Sequence, residues 1–366
     1  ALHNLGCKVN AYETEAMQEL LEKHGYEIVP FQEGADVYII NTCTVTNMAD
    51  RKSRQMLHKA KKMNPDAIVI AAGCYVQTDE GKLDKDEAVD LILGNNQKGN
   101  IVQVLEEYEQ QHTKQKHVLK INQTKEYEEL AIDHTAEHVR AYIKVQDGCN
   151  QFCTYCIIPY IRGNYRSVPM EDLIGQAKEL VANGAKELIL VAQETTLYGI
   201  DLYGEKSLHK LLDELNKING LFWIRIMYCY PEEIYEDLID SMIRNEKVCH
   251  YLDIPIQHSN DTMLKRMGRR TSHDDLVRII THLRERIPDI TLRTTLICGF
   301  PGETQEIHEE LMQFINDMEF DRLGAFTYSP EEGTPAAAFE DQVDEELKKD
   351  WQADVMELQE EVIFDK

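Results

Sequence analysis

The stretch DGCNQFCTYCIIPYIR, residues 147–162, decides how the rest of the chain is read. Cys149, Cys153 and Cys156 stand in a CxxxCxxC spacing, close enough for one loop to turn three thiolates onto a single metal centre. No fourth protein ligand lies nearby: the nearest upstream histidine is His138, the next downstream is His209, and no further cysteine occurs before Cys229. A structural zinc site closes with four protein ligands. A 4Fe-4S cluster held by three thiolates instead leaves one iron open to a small molecule. The open cluster is the sharper expectation, with closed zinc and inert buried thiols as the alternatives.

Working outward, the loop directly follows an apolar run at 142–146. Further strands are predicted at 187–192, 223–228, 251–255, 292–298 and 323–328, with helices at 170–183, 208–216, 231–244, 261–267, 273–286 and 304–318 between them. This alternation predicts a partial (β/α)6 barrel of parallel strands over residues 141–340. In such barrels chemistry gathers at the strand C-terminal ends, which is where the thiol loop falls.

Upstream, residues 1–111 also read as α/β. A short apolar start at 2–6 and strands at 35–41, 67–72 and 89–93 alternate with helices at 11–23, 48–63 and 101–108. Short apolar runs between helices are what a parallel sheet buried on both faces requires, and the expectation is a flavodoxin-like open parallel sheet. Cys7 in LGCKVN, Cys43 in NTCTVT and Cys74 in AGCYVQ each come just after a strand. Strand C-terminal ends of an open parallel sheet share one edge, where ligands bind. A second three-thiol set is therefore expected there, against the alternative that these are small buried residues. Lys52, Arg54, Lys59, Lys61 and Lys62 on the 48–63 helix read equally as a phosphate-contacting face or as solvated surface. Residues 112–140 are polar and read as a linker or covering segment, and 341–366 as a C-terminal helix.

The 366 residues suffice for a barrel plus a smaller domain, and 43% hydrophobic composition supports a sizeable core. Nine cysteines without disulfide-scaffold spacing, no signal peptide and no long apolar run point to a reducing cytoplasm and away from a membrane. The net charge of −26 argues against broad phosphate binding and favours a basic partner. A start at Ala1 without methionine is the expectation for a fragment.

Together, LGCKVN, NTCTVT, AGCYVQ and GCNQFCTYCIIPYIRG resemble the radical S-adenosylmethionine (SAM) methylthiotransferases, a likeness that covers nearly the whole chain. The resemblance implies two 4Fe-4S clusters. Cys149, Cys153 and Cys156 would hold the one that binds SAM and cleaves it to a 5′-deoxyadenosyl radical, which takes hydrogen from an unactivated C–H carbon. Cys7, Cys43 and Cys74 would hold an auxiliary cluster that carries the sulfur, with a second SAM giving the methyl group. It further implies that Tyr155 lies beside bound adenine and that an electron donor such as flavodoxin or ferredoxin is needed. Gln193 and Glu194 in QETT, Gln257 before His258, Arg293, and Gly299 and Gly302 in GFPGET are candidates for SAM or substrate contact, or for strand-end turns. Cys229, Cys249 and Cys298 read as structural thiols.

Two branches of the family are quoted in one chain. Through about Tyr160 the sequence is similar to enzymes that methylthiolate threonylcarbamoyl-adenosine beside the tRNA anticodon. From Ile161, YRSVPMEDL, AQETTLYGIDLYGE, RIMYCYPEEI and FTYSPEEGTPAA are similar to the branch that modifies an aspartate of the small-subunit ribosomal protein uS12. The ribosomal protein is the preferred substrate, because the barrel builds most of the pocket and an acidic chain suits a basic protein; tRNA is the alternative. Both branches carry a small RNA-binding β-barrel domain after the radical barrel, expected to be missing here. A zinc-stabilised, non-catalytic binding protein is the weaker alternative.

Overall fold

The computed structural model describes residues 1–78, 81–133 and 139–366. His138 lies outside the described residues, as do the other positions 134–138 of the expected linker. The chain forms two compact units: Ala1–Asn150 with Ile157–Ala185, and Gln151–Cys156 with Lys186–Lys366.

The first unit is built on β1 (Leu2–Asn4), β2 (Val37–Thr42), β3 (Ile68–Gly73), β4 (Leu91–Leu93) and β5 (Gln115–His117), all parallel and in that order. Around them run α1 (Lys8–Lys23), α2 (Asn47–Met63), the short α3 (Cys74–Thr78) and α4 (Ile101–Gln111). Successive strand side chains point to opposite faces, and here both faces are buried. Tyr38, Ile40, Val69, Ala71 and Ile92 pack with Leu57 and Ala60 of α2. The alternate residues Ile39, Ile70, Ala72, Leu91 and Leu93 pack with Met17 and Leu21 of α1 and Ile101 and Leu105 of α4. α2 starts where Thr46 accepts a hydrogen bond from the Ala49 amide at 3.1 Å, a cap worth about 1 kcal/mol. Its cationic residues are largely exposed, although Lys61 reaches Asp90 at 3.0 Å. β5 falls inside the stretch expected to be a linker. Its polar Gln-Lys-His sequence fits an edge strand with a single neighbour.

This unit also holds β6 (Arg140–Lys144), β7 (Gln146–Asp147), α5 (Ile158–Arg162), β8 (Arg166–Ser167) and α6 (Met170–Ala182). β7 and β8 pair antiparallel and bracket the cysteine loop in sequence.

In the second unit, β9 (Glu187–Val191), α7 (Ile200–Tyr203), α8 (Leu208–Leu215), β10 (Trp223–Ile226), α9 (Glu236–Arg244), β11 (Val248–Asp253), α10 (Asp261–Arg266), α11 (His273–Arg286), β12 (Thr291–Cys298), α12 (Gln305–Met318), β13 (Arg322–Thr327) and α13 (Glu345–Asp365) follow in turn. Strands β9 to β13 lie side by side in sequence order, all parallel. β12 alternates strictly, with Leu292, Thr294, Leu296 and Cys298 buried and Arg293, Thr295 and Ile297 half-buried on the other face. α11 begins with a reciprocal capping box between Ser272 and Asp275. No helix of the described residues is long and apolar enough to cross a membrane.

Candidate functional site

Cys7, Cys43 and Cys74 sit at the C-terminal ends of β1, β2 and β3, the shared edge of one parallel sheet. Cys7 is the residue before α1, Cys43 follows β2 and Cys74 opens α3. Backbone ties fix their loops. The Ser53 hydroxyl donates to the Cys43 carbonyl at 2.9 Å and accepts from the Cys43 amide at 3.2 Å. The Asn10 side chain donates to both Leu5 O (2.7 Å) and Thr42 O (3.0 Å), joining the Cys7 and Cys43 loops. Gly6, at φ +101°, brings the first loop so close that a Cβ there would lie 2.9 Å from Cys43 Sγ. Burial pushes the Cys43 thiol up to about 11, so a metal there would have to displace its proton.

Behind this edge lies a buried ion network that the sequence reading did not anticipate. Arg162 of α5 donates to Glu13 Oε1 (2.7 Å), Asn10 Oδ1 (2.6 Å) and Asp147 Oδ1 (3.2 Å). Lys144 also reaches Glu13 Oε1 at 2.8 Å, and Lys98 pairs with Glu13 Oε2. All are buried. Burial alone would raise the Glu13 carboxyl, but Arg162, Lys144 and Lys98 overcome it and hold Glu13 well below the usual carboxylate range. Burial likewise opposes the Arg162 charge, while Cys74, Glu13 and Asp147 more than offset it. Asn10 and Arg162 each end a cysteine motif, LGCKVN and DGCNQFCTYCIIPYIR, but their role becomes visible only once α5 is placed against α1.

The second thiol set is local. Gly148 (φ +78°) precedes Cys149, and a Cβ there would stand 2.1 Å from Asn164 O. The Cys149 amide donates to Gly163 O at 3.1 Å. Further on, Thr154 is pinned beyond α10: its amide donates to Met267 O (2.9 Å), its hydroxyl to Arg266 O (2.8 Å), and its carbonyl accepts from the Ala336 amide (2.9 Å). Cys153 Sγ lies 2.8 Å from the Tyr230 hydroxyl, and the Arg269 guanidinium stacks 3.7 Å above the Tyr230 ring. Tyr230 and Arg269 are further residues missed from sequence, although Tyr230 directly follows Cys229 in the segment after β10.

The other expected contacts are dispersed over the strand ends. Tyr155 packs edge-on to Phe300 with ring centroids 6.4 Å apart. Gln193 follows β9, and its buried Oε1 has no hydrogen-bond partner among the described residues, as an acceptor facing a ligand would. Glu194 instead caps the turn Thr195–Leu197 through Thr196. Burial pushes its carboxyl well above the usual range, partly offset by the Tyr230 and Thr196 amides. Gln257 takes a positive φ of 69° and bridges to Leu296. Arg293 is held by Asp253 at 2.6 Å on the neighbouring strand. Gly299 lies against the Lys348 side chain of α13, and its amide donates to Glu303 Oε2 at 2.7 Å. Of the remaining cysteines, Cys229 and Cys298 are buried and Cys249 half-buried.

Among the described residues, no three His, Cys, Asp or Glu side chains are gathered tightly enough to hold one metal ion. A four-iron cluster is wider than an ion, and its thiolates stand correspondingly further apart. The donor chemistry of both sets, the missing Cβ at Gly6 and the buried cation near Cys74 fit such a group.

The fold and loop define a radical SAM protein. Residues 143–315 match the Radical SAM superfamily model and residues 1–94 that of the uncharacterized protein family UPF0004. The chain resembles in fold the radical SAM methyltransferase TsrM of Kitasatospora setae, with a TM-score of 0.66 at 14% identity over 92% of this chain and 74% of that one. It is 44% identical to ribosomal protein uS12 methylthiotransferase RimO of Lachnoclostridium phytofermentans over 99% of its length and 83% of the relative's. Against the protein of the same name from Clostridium perfringens it is 43% identical, over 98% of this chain and 81% of the relative. The chain belongs to the uS12 methylthiotransferase family, within the radical SAM enzymes. Membership of that superfamily implies SAM and a 4Fe-4S cluster. The near-full-length identity extends through the part before Tyr160, which favours the ribosomal-protein branch over the tRNA branch for the whole chain.

Proposed function

We propose that this chain inserts sulfur into, and methylates, an unactivated C–H carbon on an aspartate of ribosomal protein uS12, using two 4Fe-4S clusters and SAM. The 44% identity to a uS12 methylthiotransferase over 99% of the chain is the observation that carries this reading. When bound, the clusters and SAM supply electron transfer, hydrogen abstraction and sulfur, chemistry that acid–base side chains do not provide.

The chain's own residues bind and orient. Cys149, Cys153 and Cys156 hold the SAM-binding cluster, with the Thr154 backbone and hydroxyl bonds fixing the loop's conformation. Tyr155 flanks the adenine, and the Gln193 Oε1 accepts from a polar group of SAM or substrate. Arg293, restrained by Asp253, presents a fixed cation on the half-buried face of β12. Cys7, Cys43 and Cys74 hold the auxiliary cluster. The net charge of −26 suits a basic ribosomal protein. A small flavodoxin or ferredoxin serves as the electron donor, and the cytoplasm is the compartment.

The test is mass spectrometry of uS12 and of tRNA nucleosides from a host lacking both native methylthiotransferases and expressing this chain. A methylthio mark on the uS12 aspartate is expected. A mark confined to tRNA would overturn the substrate. After anaerobic reconstitution about eight irons per chain are expected from two four-iron clusters; about four would leave room for one cluster only.

A further inference from the structure

Beside the auxiliary thiols stands a residue that no motif marks. Asn95 follows β4, so the fourth parallel strand delivers it to the same edge that receives Cys7, Cys43 and Cys74 from the first three. It is buried, at 1% exposure. Its Nδ2 carries two hydrogens and has two acceptors within reach: Ile161 O at 2.8 Å and Cys74 Sγ at 3.7 Å. Its Oδ1 accepts from Lys98 Nζ at 3.1 Å, and Lys98 is in turn paired with Glu13. An ammonium has no lone pair, so only the amide oxygen can face Lys98. The amide cannot flip, so its NH2 faces Ile161 O with one hydrogen and the Cys74 sulfur with the other.

We propose that Asn95 is a positioning residue for the auxiliary site: it donates an N–H···S hydrogen bond to Cys74, and the buried Lys98–Glu13 pair orients that bond. The inference rests on the reading that Cys7, Cys43 and Cys74 ligate a cluster. Hydrogen bonds to ligating sulfurs set the reduction potential of iron–sulfur clusters, because a donor stabilises the more negative, reduced state. Asn95 thereby raises the potential of this cluster. The Lys98–Glu13 pair acquires a function as well. It is two shells from the metal and acts only through the direction of one amide.

The experiment uses the full chain carrying Cys149→Ala, Cys153→Ala and Cys156→Ala, so that only the auxiliary cluster can form on anaerobic reconstitution with iron and sulfide. Iron content and the potential at half-reduction, followed by electron paramagnetic resonance, are read with Asn95 present and with Asn95→Leu, which removes the donor. The expected result is a bound cluster in both and a lower potential in Asn95→Leu. The fall is about 59 mV if the lost bond changes the one-electron equilibrium tenfold. Asn95→Asp keeps the oxygen that Lys98 needs and replaces the donor; it serves where Asn95→Leu does not fold, and is expected to lower the potential further. Lys98→Met frees the amide without removing it and is expected to give a smaller fall. A cluster whose potential is the same in every Asn95 variant would overturn the role of Asn95. An absence of iron in the parent triple variant would overturn the auxiliary-cluster reading beneath it.

Discussion

The two three-cysteine sets are built in opposite ways. Cys7, Cys43 and Cys74 reach one edge because three strands of one sheet end there, and their surroundings are ionic: Arg162, Glu13, Asp147, Lys98 and Lys144 form a buried network behind them. Cys149, Cys153 and Cys156 come from a single loop. Cys153 meets the Tyr230 phenol, whose ring carries the stacked Arg269 guanidinium. The first set depends on tertiary structure to exist, and the second depends on it only to be held still. That difference suits the proposed division of labour, in which the loop would start the chemistry and the sheet edge would store what is to be transferred.

The comparison can be broken most sharply at the thiols themselves. Cys153→Ala is expected to reduce 5′-deoxyadenosine formation to the level without enzyme, whereas Cys43→Ala retains most SAM cleavage and loses the methylthio product, both read by chromatography after anaerobic reconstitution. Equal loss of cleavage in the two variants would erase the distinction.

The next effect is on stability. Glu13→Ala leaves Lys98, Lys144 and Arg162 buried around a missing carboxylate, and stranding buried charge costs about 3–5 kcal/mol. Hydrogen exchange should show lost protection in β2 and β3 with little change in β11 and β12. The pH sign follows from the depressed Glu13 value. Its contribution is fully present above the ordinary carboxylate range near 4.5 and disappears as pH falls through the lower folded value. Glu13→Gln should therefore flatten the acid limb of the first unit's stability profile. An unchanged acid limb would show that the network is not what the first unit loses on acidification.

The smallest effect sharpens the second set. Tyr230→Phe removes one hydroxyl from Cys153 and is expected to cost about 1 kcal/mol in the second unit, measured by denaturant titration of the cofactor-free chain. A loss of several times that would mean the phenol organises more than one sulfur.

Much of the architecture was legible because its signal is local. The apolar run at 67–72 became β3, the 273–286 pattern became α11 with both bounds kept, and each auxiliary cysteine followed its strand as its position implied. β5 was not legible, since an edge strand of Gln, Lys and His has no hydrophobic alternation to reveal it. Nor were the residues that surround the thiols. Arg162 and Glu13 are separated by 149 positions, Tyr230 and Cys153 by 77, and Asn95 and Ile161 by 66. Each is an ordinary residue type whose meaning is conferred by a long-range approach. Thiols announce themselves by type and spacing, while the groups that tune them do not.

The route of the chain has a consequence for how such a protein can be recombined. It leaves the first unit after Asn150 and returns to it at Ile157, and the returning segment carries Arg162 back to Glu13. Tyr160, where the motifs alone suggest a change of branch although the near-full-length identity favours the ribosomal-protein branch throughout, therefore falls inside one folded unit rather than at a seam. A chimera spliced there would inherit Glu13 and Asn10 from one parent and Arg162 from the other. The two ancestries would have to agree on one buried ion network before the hybrid could fold, so the junction tolerates exchange only between parents that already share it.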